Sequence, residues 1–242
     1  MERNHLAYNK LISYGAIAVL AGYVLSGPAA FILIHVISPQ PAWASPAVFS
    51  KNYHTVQDSP DYLGFLLIVG MLIISVGYYL DLRATNDIRK QFSLLLALCF
   101  SIVFCTLISF NYICQTTLVR NLAINYTPEH DAAISIFSMA NTMSLCWAIE
   151  MWGYAFLGAS TAFVSVFYEG RNNLIRILMV CNGAVSVGSA ILTLVDVRWV
   201  MTIGGLVSYF AWNILMIVMM ILIYIDASRK NLSVARQGSR VD

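Results

Sequence analysis

Residues 62–80 read YLGFLLIVGMLIISVGYYL, a run without a charged side chain that decides the fold class of the chain. A helix of about 20 residues is needed to cross the ~30 Å hydrocarbon layer of a bilayer. The run is continuously apolar rather than alternating, which argues against a strand of a membrane barrel. Since a helix satisfies its own backbone hydrogen bonds in lipid, we predict a transmembrane helix here.

Five further runs have the same character, and the composition agrees with them. The runs are Leu11–Ile37, Phe92–Val119, Ser144–Phe167, Leu174–Val195 and Trp199–Ile225. The chain is 59% hydrophobic and 11% charged, whereas soluble domains are about 45–50% apolar and about 25% charged. We therefore predict an all-α integral membrane protein, one domain over residues 1–242 with about six transmembrane helices. Gly27-Pro28 predicts a kink in the first helix, and the apolar stretch 132–143 leaves a seventh short segment open.

The distribution of Lys and Arg predicts the topology, because cytoplasmic loops carry an excess of both. With the N-terminus inside, eleven of the fourteen fall on the inner side. The inner residues are Arg3, Lys10, Arg83, Arg89, Lys90, Arg171, Arg176, Arg229, Lys230, Arg236 and Arg240, and the outer ones are Lys51, Arg120 and Arg198. We expect both termini to be cytoplasmic, in a bacterial inner membrane or a eukaryotic endomembrane. We expect residues 226–242 to form a basic cytoplasmic tail that solvates the chain end and meets anionic lipid.

The net charge and the absence of common catalytic motifs in the sequence argue against several classes of function. The net charge of +2 does not indicate a nucleic-acid partner, and no nucleotide-binding loop, nucleophile elbow or zinc-protease motif occurs. The cysteines are Cys99, Cys105, Cys114, Cys146 and Cys181, without metal-ligand spacing. We expect them to pack as small hydrophobes without a disulfide. We predict no cofactor and no metal, a lipid bilayer and a small lipophilic ligand as partners, and leave the oligomeric state open.

The longest loop, residues 38–61, lies on the predicted outer side. It carries four prolines and the aromatic residues Trp43, Phe49 and Tyr53. Such a loop either folds back as a lid or anchors its aromatic side chains at the interface. His54 and Asp58 have i, i+4 spacing, but this spacing is not specific for a metal, and we expect the acidic and His residues here to be solvated.

Glu150 is the strongest candidate for chemistry, because it is the only acidic residue well inside a predicted span. An ionisable group there costs at least ~2.5 kcal/mol even on permissive insertion scales, so we expect it to face the protein interior. It then acts as a proton donor or acceptor, or as a ligand for a polar substrate group. The alternative is a structural carboxyl group bound to a neighbouring Asn, Gln or Arg.

Polar residues near the end of the third run lie at the depth of Glu150. Asn111 precedes Val119 by eight residues, and Glu150 is about six residues into the fourth run. At 1.5 Å per residue, both lie ~9–12 Å below the outer surface. Gln115 follows Asn111 by one turn on the same face, and Arg120 continues outward.

On the fourth run, Trp147, Glu150 and Tyr154 share a helical face. Together with the third run they predict one polar pocket around Glu150. Its predicted substrate-binding residues are Asn111, Gln115, Arg120, Trp147 and Tyr154. The alternative is a network of interhelical hydrogen bonds that joins the two helices, at ~0.6 kcal/mol per bond.

Two stretches carry a resemblance to other proteins. Residues 111–120 read NYICQTTLVR, and residues 147–154 read WAIEMWGY. They resemble small multi-span membrane proteins of unassigned function that have an Asn-Tyr-x-x-Gln-x-Thr-x-Val-Arg-like stretch and a later Ala-x-Glu-x-x-Gly-Tyr-like stretch. The resemblance implies that Asn111, Gln115, Arg120, Glu150 and Tyr154 belong together, and it assigns no activity.

The leading functional hypothesis is an outward-opening pocket that acts on a small lipophilic molecule. We predict cofactor-free acid–base chemistry, such as isomerisation or cyclisation of an isoprenoid-like substrate, with Glu150 as the acid. Asn111 and Gln115 would orient the substrate. The aromatic residues expected to stabilise a developing cation are Phe110, Tyr112, Trp147, Trp152 and Tyr154.

Two other classes stay open. One is a proton-coupled small-molecule transporter or channel subunit, with Glu150 as the coupling site. The other is a non-catalytic membrane sensor or assembly factor, in which Glu150 is structural. An enclosed apolar pocket beside Glu150 favours the enzyme, a continuous polar path favours transport, and a filled bundle favours the third class.

Overall fold

The computed structural model describes residues 2–83 and 87–238, and every regular element in these ranges is a helix. The α-helices are α1 (Glu2–Val24), α2 (Ala30–Ile37), α3 (Pro46–Lys51), α4 (Ser59–Arg83), α5 (Ile88–Ile113), α6 (Arg120–Ile124), α7 (Asp131–Phe137), α8 (Leu145–Val164), α9 (Asn173–Val195) and α10 (Ile203–Gly238). π-Helical segments at Leu25–Ala29 and Cys114–Val119 join α1 to α2 and α5 to α6. The predicted all-helical class is confirmed.

Five helical segments of the described chain are long and apolar enough to cross a membrane, which indicates a membrane-embedded protein. They are Leu6–Ile37, Thr55–Leu82, Ile88–Ile124, Asn173–Val195 and Ile203–Asn231. The sixth long helix is α8, which corresponds to the predicted run Ser144–Phe167. It is less apolar because it contains Glu150 together with small and hydroxyl residues, and ten of its 20 residues are buried.

The six long helices form a closed ring in chain order. Each of α1, α4, α5, α8, α9 and α10 packs against the next, and α10 returns to α1. The neighbours are antiparallel: Gly15 and Gly22 of α1 meet Ile74 and Leu67 of α4, respectively. The chain therefore passes up and down, and α1 begins at the end of the ring where α10 finishes, here called the tail end.

Small residues set the distance between two helix pairs. A Cβ atom at Gly22 would lie 2.3 Å from the backbone nitrogen of Leu67, so only glycine allows α1 and α4 to approach this closely. Between α8 and α9, a Cβ at Gly158 would lie 2.5 Å from the Cβ of Ser186. These close contacts exclude lipid and hold both pairs together.

Hydrogen bonds add to the packing in the middle of the ring. The hydroxyl groups of Ser75, Ser101 and Ser160 form a chain across α4, α5 and α8, with oxygen distances of 2.6 and 2.7 Å. The side-chain amide of Asn182 donates to the hydroxyl of Thr161 at 2.7 Å, which joins α9 to α8. Each such bond in a membrane is worth ~0.6 kcal/mol on average.

A small second core covers the other end of the ring, here called the cap end. It consists of buried Phe49, Val119, Ala123 and Ile134, and α3, α6 and α7 contribute to it. The loop aromatics Trp43 and Tyr53 pack against this core. The continuous helix Ile88–Ile124 is about 55 Å long at 1.5 Å per residue. It extends beyond the bilayer thickness and carries the cap.

The structure defines three segments whose conformation the sequence leaves open. Gly27 and Pro28 lie in the π-helical segment, so the predicted first helix is irregular where the sequence is interrupted. Residues 132–143 neither extend α8 nor form a span, because α7 has only seven residues and a turn follows it. The predicted tail, residues 226–242, is helical through Gly238, whereas residues 239–242, including Arg240, lie outside the described residues.

Candidate functional site

A cavity of about 390 Å³ lies inside the ring near the cap end. All six long helices contribute to its wall, so the cavity is a product of ring closure rather than of one helix pair. The side chains used in the following argument are Tyr23, Asp61, Tyr112, Trp147, Glu150, Tyr154, Tyr209, Trp212 and Asn213. Volumes of 300–1,000 Å³ are typical of sites for small molecules.

The start of α8 positions Glu150 at this cavity. The hydroxyl of Ser144 accepts a hydrogen bond from the backbone N–H of Trp147 at 3.0 Å and caps the helix. Gly153 then lets α8 approach α5, because a Cβ there would lie 2.5 Å from the Cδ1 of Ile108. Glu150 is one turn before Gly153 and is 8% exposed.

Asn111 of α5 holds the carboxyl group of Glu150. Its side-chain amide donates to Oε2 of Glu150 at 2.7 Å, and Asn111 is fully buried. The same amide nitrogen lies 3.0 Å from the sulfur of Met139, and its carbonyl oxygen accepts from Gln115 at 3.3 Å. Asn111 therefore fixes the direction of the carboxyl group from behind the cavity wall.

Gln115 connects this pair to the chain segment between α7 and α8. Its Nε2 donates to the carbonyl of Phe137 at 2.8 Å, and its Oε1 accepts from the N–H of Met139 at 3.0 Å. Gln115 lies in the π-helical segment Cys114–Val119, and wide turns of this kind occur frequently at functional sites. Gln115 thereby holds Met139 against the cavity.

Arg120 lies outside this group and belongs to a cluster at the cap. It donates to the hydroxyl of Tyr62 at 3.0 Å and lies 3.5 Å from Oδ2 of Asp58. Asp58 is 4% exposed and accepts from the hydroxyl of Tyr53 at 2.6 and 2.7 Å. Burial and the bond to Asp58 raise the pKa of the Tyr53 hydroxyl, so it remains a donor. The expectation that Asp58 is solvated is wrong.

The structure adds a second carboxyl group to the site. Asp61, in the first turn of α4, lines the same cavity as Glu150. We expected Asp61 to be a solvated loop residue, and this expectation is wrong. An acidic residue in a first helical turn is common because it complements the helix dipole, so the sequence contains no signal of a second role.

An aromatic wall faces the two carboxyl groups. Trp212 is its centre, with ring centroids 5.9 Å from Tyr23, 5.3 Å from Tyr154 and 6.2 Å from Tyr209. The hydroxyl of Tyr23 also donates to Oδ1 of Asn213. Residues on α1 and α10 therefore supply most of this wall, whereas the predicted site residues lie on or next to the third and fourth runs.

The predicted site residues divide into three sets. Glu150, Trp147 and Tyr154 line the cavity, and the indole N–H of Trp147 donates to the carbonyl of Val197 at 3.2 Å. Asn111 and Gln115 support the wall from behind, and Arg120 contacts the cap cluster. Of the predicted aromatic residues, Tyr112 also lines the cavity, whereas Phe110 and Trp152 are not part of its wall, and Phe110 is exposed.

The space toward the tail end is filled. Met71, Leu157 and Met216 are almost completely buried below the cavity. A void beside Ser160 and Tyr78 measures only about 10 Å³, which is the limit for one water molecule. The site is therefore a chamber that ends within the bundle.

The chain matches no protein-family model, no curated protein and no solved structure, so the residues of the site carry the functional argument.

Proposed function

We propose that all six long helices cross the membrane, with both chain ends on the cytoplasmic side. The antiparallel ring supports this topology, because an even number of crossings returns the chain to the tail end. Several basic residues of the described chain lie near the tail end, among them Arg89, Arg171 and Lys230. Cytoplasmic segments of membrane proteins carry an excess of positive charge, so this distribution supports a cytoplasmic tail end. The sixth crossing is α8, whose lower hydropathy is tolerated because protein neighbours bury half of its residues.

Within this membrane domain, the cavity binds a small lipophilic molecule and performs acid–base chemistry on it. The observation that carries the proposal is the carboxyl group of Glu150, oriented by Asn111 at the wall of a cavity of about 390 Å³. A buried ionisable residue in a membrane is costly and commonly functional. A cavity with space for a ligand distinguishes this carboxyl group from one that only joins helices.

The reaction class follows from the groups at the wall. A positioned carboxylic acid donates a proton to a substrate carbon, and the aromatic faces around Trp212 stabilise the positive charge that results. Isomerisation or cyclisation of an isoprenoid-like molecule needs these two contributions. The mostly apolar wall also offers few groups that hold water next to the cationic intermediate.

The two other hypotheses receive less support. Transport requires a path through the bundle, and the side chains of Met71, Leu157 and Met216 fill the space below the cavity. A purely structural role for Glu150 predicts a filled bundle around it, whereas Glu150 borders an open volume. We therefore favour the enzyme.

A metabolite comparison with Glu150→Gln tests the proposal. The gene is deleted in the source organism and restored as wild type or as Glu150→Gln, and lipid-soluble metabolites are compared by mass spectrometry. Loss of a general acid typically lowers the rate roughly 10²–10⁴-fold, so we expect a precursor to accumulate in the deletion and in Glu150→Gln. Glutamine keeps the size of the side chain and an oxygen that accepts from Asn111.

Glu129→Gln is the matched control. Glu129 is an exposed acid near the cap, so this change replaces the same functional group away from the cavity. We expect wild-type metabolites in the control strain. If Glu150→Gln also produces wild-type metabolites at equal protein levels in the membrane, Glu150 is structural and the enzyme proposal is wrong.

A further inference from the structure

The described cavity wall contains acidic side chains but no basic ones. The acidic residues of the wall are Asp61 and Glu150, and no Lys, Arg or His belongs to the described wall. Arg120, a basic residue of the cap, is engaged with Asp58 and Tyr62. A neutral hydrocarbon does not require two carboxyl groups, whereas a positive charge is complementary to them.

The carboxyl group of Asp61 is available to a ligand. Among the described residues, no hydrogen bond or ion pair engages it, whereas Glu150 is held by Asn111. Asp61 and Glu150 line the same cavity. The two acids therefore differ: one is held in a fixed direction, and the other faces open volume.

The aromatic wall has the same preference for positive charge. Trp212 and the rings of Tyr23 and Tyr154 line the cavity, and the ring faces carry partial negative charge. A desolvated cation on such a face is attracted by the ring more strongly than a neutral group is. Two independent features of the cavity, its acids and its aromatic rings, thus select the same kind of ligand.

We propose that Asp61 is a second catalytic residue, which faces the cation formed from the substrate and then accepts a proton from it. This inference rests on the proposed function of the cavity. It assigns the substrate class as an alkene that becomes cationic in the site, and it assigns different roles to the two acids.

The proton transfers balance in an isomerisation. The carboxylic acid of Glu150 gives its proton to one carbon of a double bond, whose π electrons form the new C–H bond and leave a positive charge on the other carbon. The carboxylate of Asp61 then takes a proton from a carbon next to the charge, and the electrons of the broken C–H bond form the new double bond. Return of the proton from Asp61 to Glu150 restores the enzyme.

Equilibrium binding of a stable cation tests this role without turnover. The probes are hexyltrimethylammonium, which imitates the cationic intermediate, and 2,2-dimethyloctane, which has the same shape without charge. Binding to the purified full-length protein in neutral detergent is followed by tryptophan fluorescence, because Trp147 and Trp212 line the cavity. We expect the cation to bind at least about tenfold more tightly than the neutral probe.

Two variants assign the preference to residues. Asp61→Asn removes the free carboxylate and is expected to abolish most of the preference while the neutral probe still binds, which shows an intact cavity. Trp212→Leu removes the aromatic face without changing either acid and is expected to lower the preference. Glu129→Gln, the exposed control, keeps it.

The inference is overturned if wild type binds both probes equally, or if Asp61→Asn keeps the full preference of wild type. These outcomes are separate from those of the metabolite experiment. Normal metabolites in Glu150→Gln together with an Asp61-dependent preference contradict the enzyme and leave a cation-binding site. Lost turnover in Glu150→Gln with equal binding of the probes contradicts the role of Asp61 alone.

Discussion

The cap-end and tail-end halves of the bundle both bury polar side chains, yet only the cap-end half resembles a site. Toward the tail end, the hydroxyl groups of Tyr78 and Tyr168 are 2.7 Å apart, and Asp81 lies 3.8 Å from Arg171. The nearby void is only about 10 Å³. Polar groups there bind one another and leave no space.

At the cap end, similar residue types surround an open volume. Glu150 accepts a hydrogen bond from Asn111, and Asp61 lines the cavity. This cavity of about 390 Å³ lies between the helices. Buried polarity therefore does not identify a site by itself. The combination of a polar group with space in front of it does, because a ligand needs both.

The largest expected difference between the halves is in the free energy of unfolding that is lost when a large side chain is shortened. Met219 is fully buried toward the tail end, whereas Met151 lines the cavity. Met219→Ala creates a new hole and is expected to reduce the free energy of unfolding by about 2–5 kcal/mol. Met151→Ala enlarges an existing space and is expected to cost less than half as much. Thermal unfolding in detergent measures both, and equal losses would contradict a pre-formed cavity.

A smaller difference is expected for two tyrosine hydroxyl groups. Tyr78→Phe leaves the buried hydroxyl of Tyr168 without its partner, at a cost of about 1–3 kcal/mol. The hydroxyl of Tyr154 is 3.4 Å from that of Tyr112 and borders the cavity, so Tyr154→Phe is expected to cost under about 1 kcal/mol. Chemical denaturation of both variants provides the comparison. A larger loss for Tyr154→Phe would mean that the cap-end half is the more tightly bonded one.

The smallest effect is expected at the surface of the tail end. Glu169 pairs with Arg89 and lies 3.9 Å from Arg176, but the Arg89 side chain is 70% exposed. Glu169→Gln is therefore expected to change the free energy of unfolding by less than about 1 kcal/mol, because water and salt screen such pairs. Unfolding at low and high ionic strength measures this. A loss comparable with that of Tyr78→Phe would show that surface ion pairs, rather than interior bonds, stabilise this half.

Several helix boundaries could not be read from hydrophobicity. The third predicted run ends at Val119, but the helical segment continues to Ile124 because α6 packs into the cap core. The sequence predicts that the last run begins at Trp199, whereas α10 begins at Ile203 after a separate turn. A Cβ at Gly205 would lie 2.1 Å from the carbonyl oxygen of Trp199, and the N–H of Gly205 donates to the hydroxyl of Thr202 at 3.1 Å, so this local turn sets the boundary.

The sequence predicts the site correctly where two residues meet because they lie at the same depth on neighbouring helices. Asn111 and Glu150 were placed at the same depth by counting residues, and the structure joins them by a 2.7 Å hydrogen bond. Arg120 followed the same helical face in the sequence, but the cap supplies Asp58 as its partner. Spacing along one helix identifies residues that share a face, and it does not identify the helix opposite.

The sequence by itself determined the fold class, the approximate positions of the long helices and the burial of Glu150. Long apolar runs have one stable arrangement in lipid, and a carboxyl group within such a run must face protein. The tertiary structure decided which helices are neighbours, and it placed Asp61, Tyr23 and Trp212 around one cavity. Lipid is as apolar as the side chains it contacts, so hydrophobicity does not select helix partners. Helix partners are selected by close contacts at small residues and by the closure of the ring.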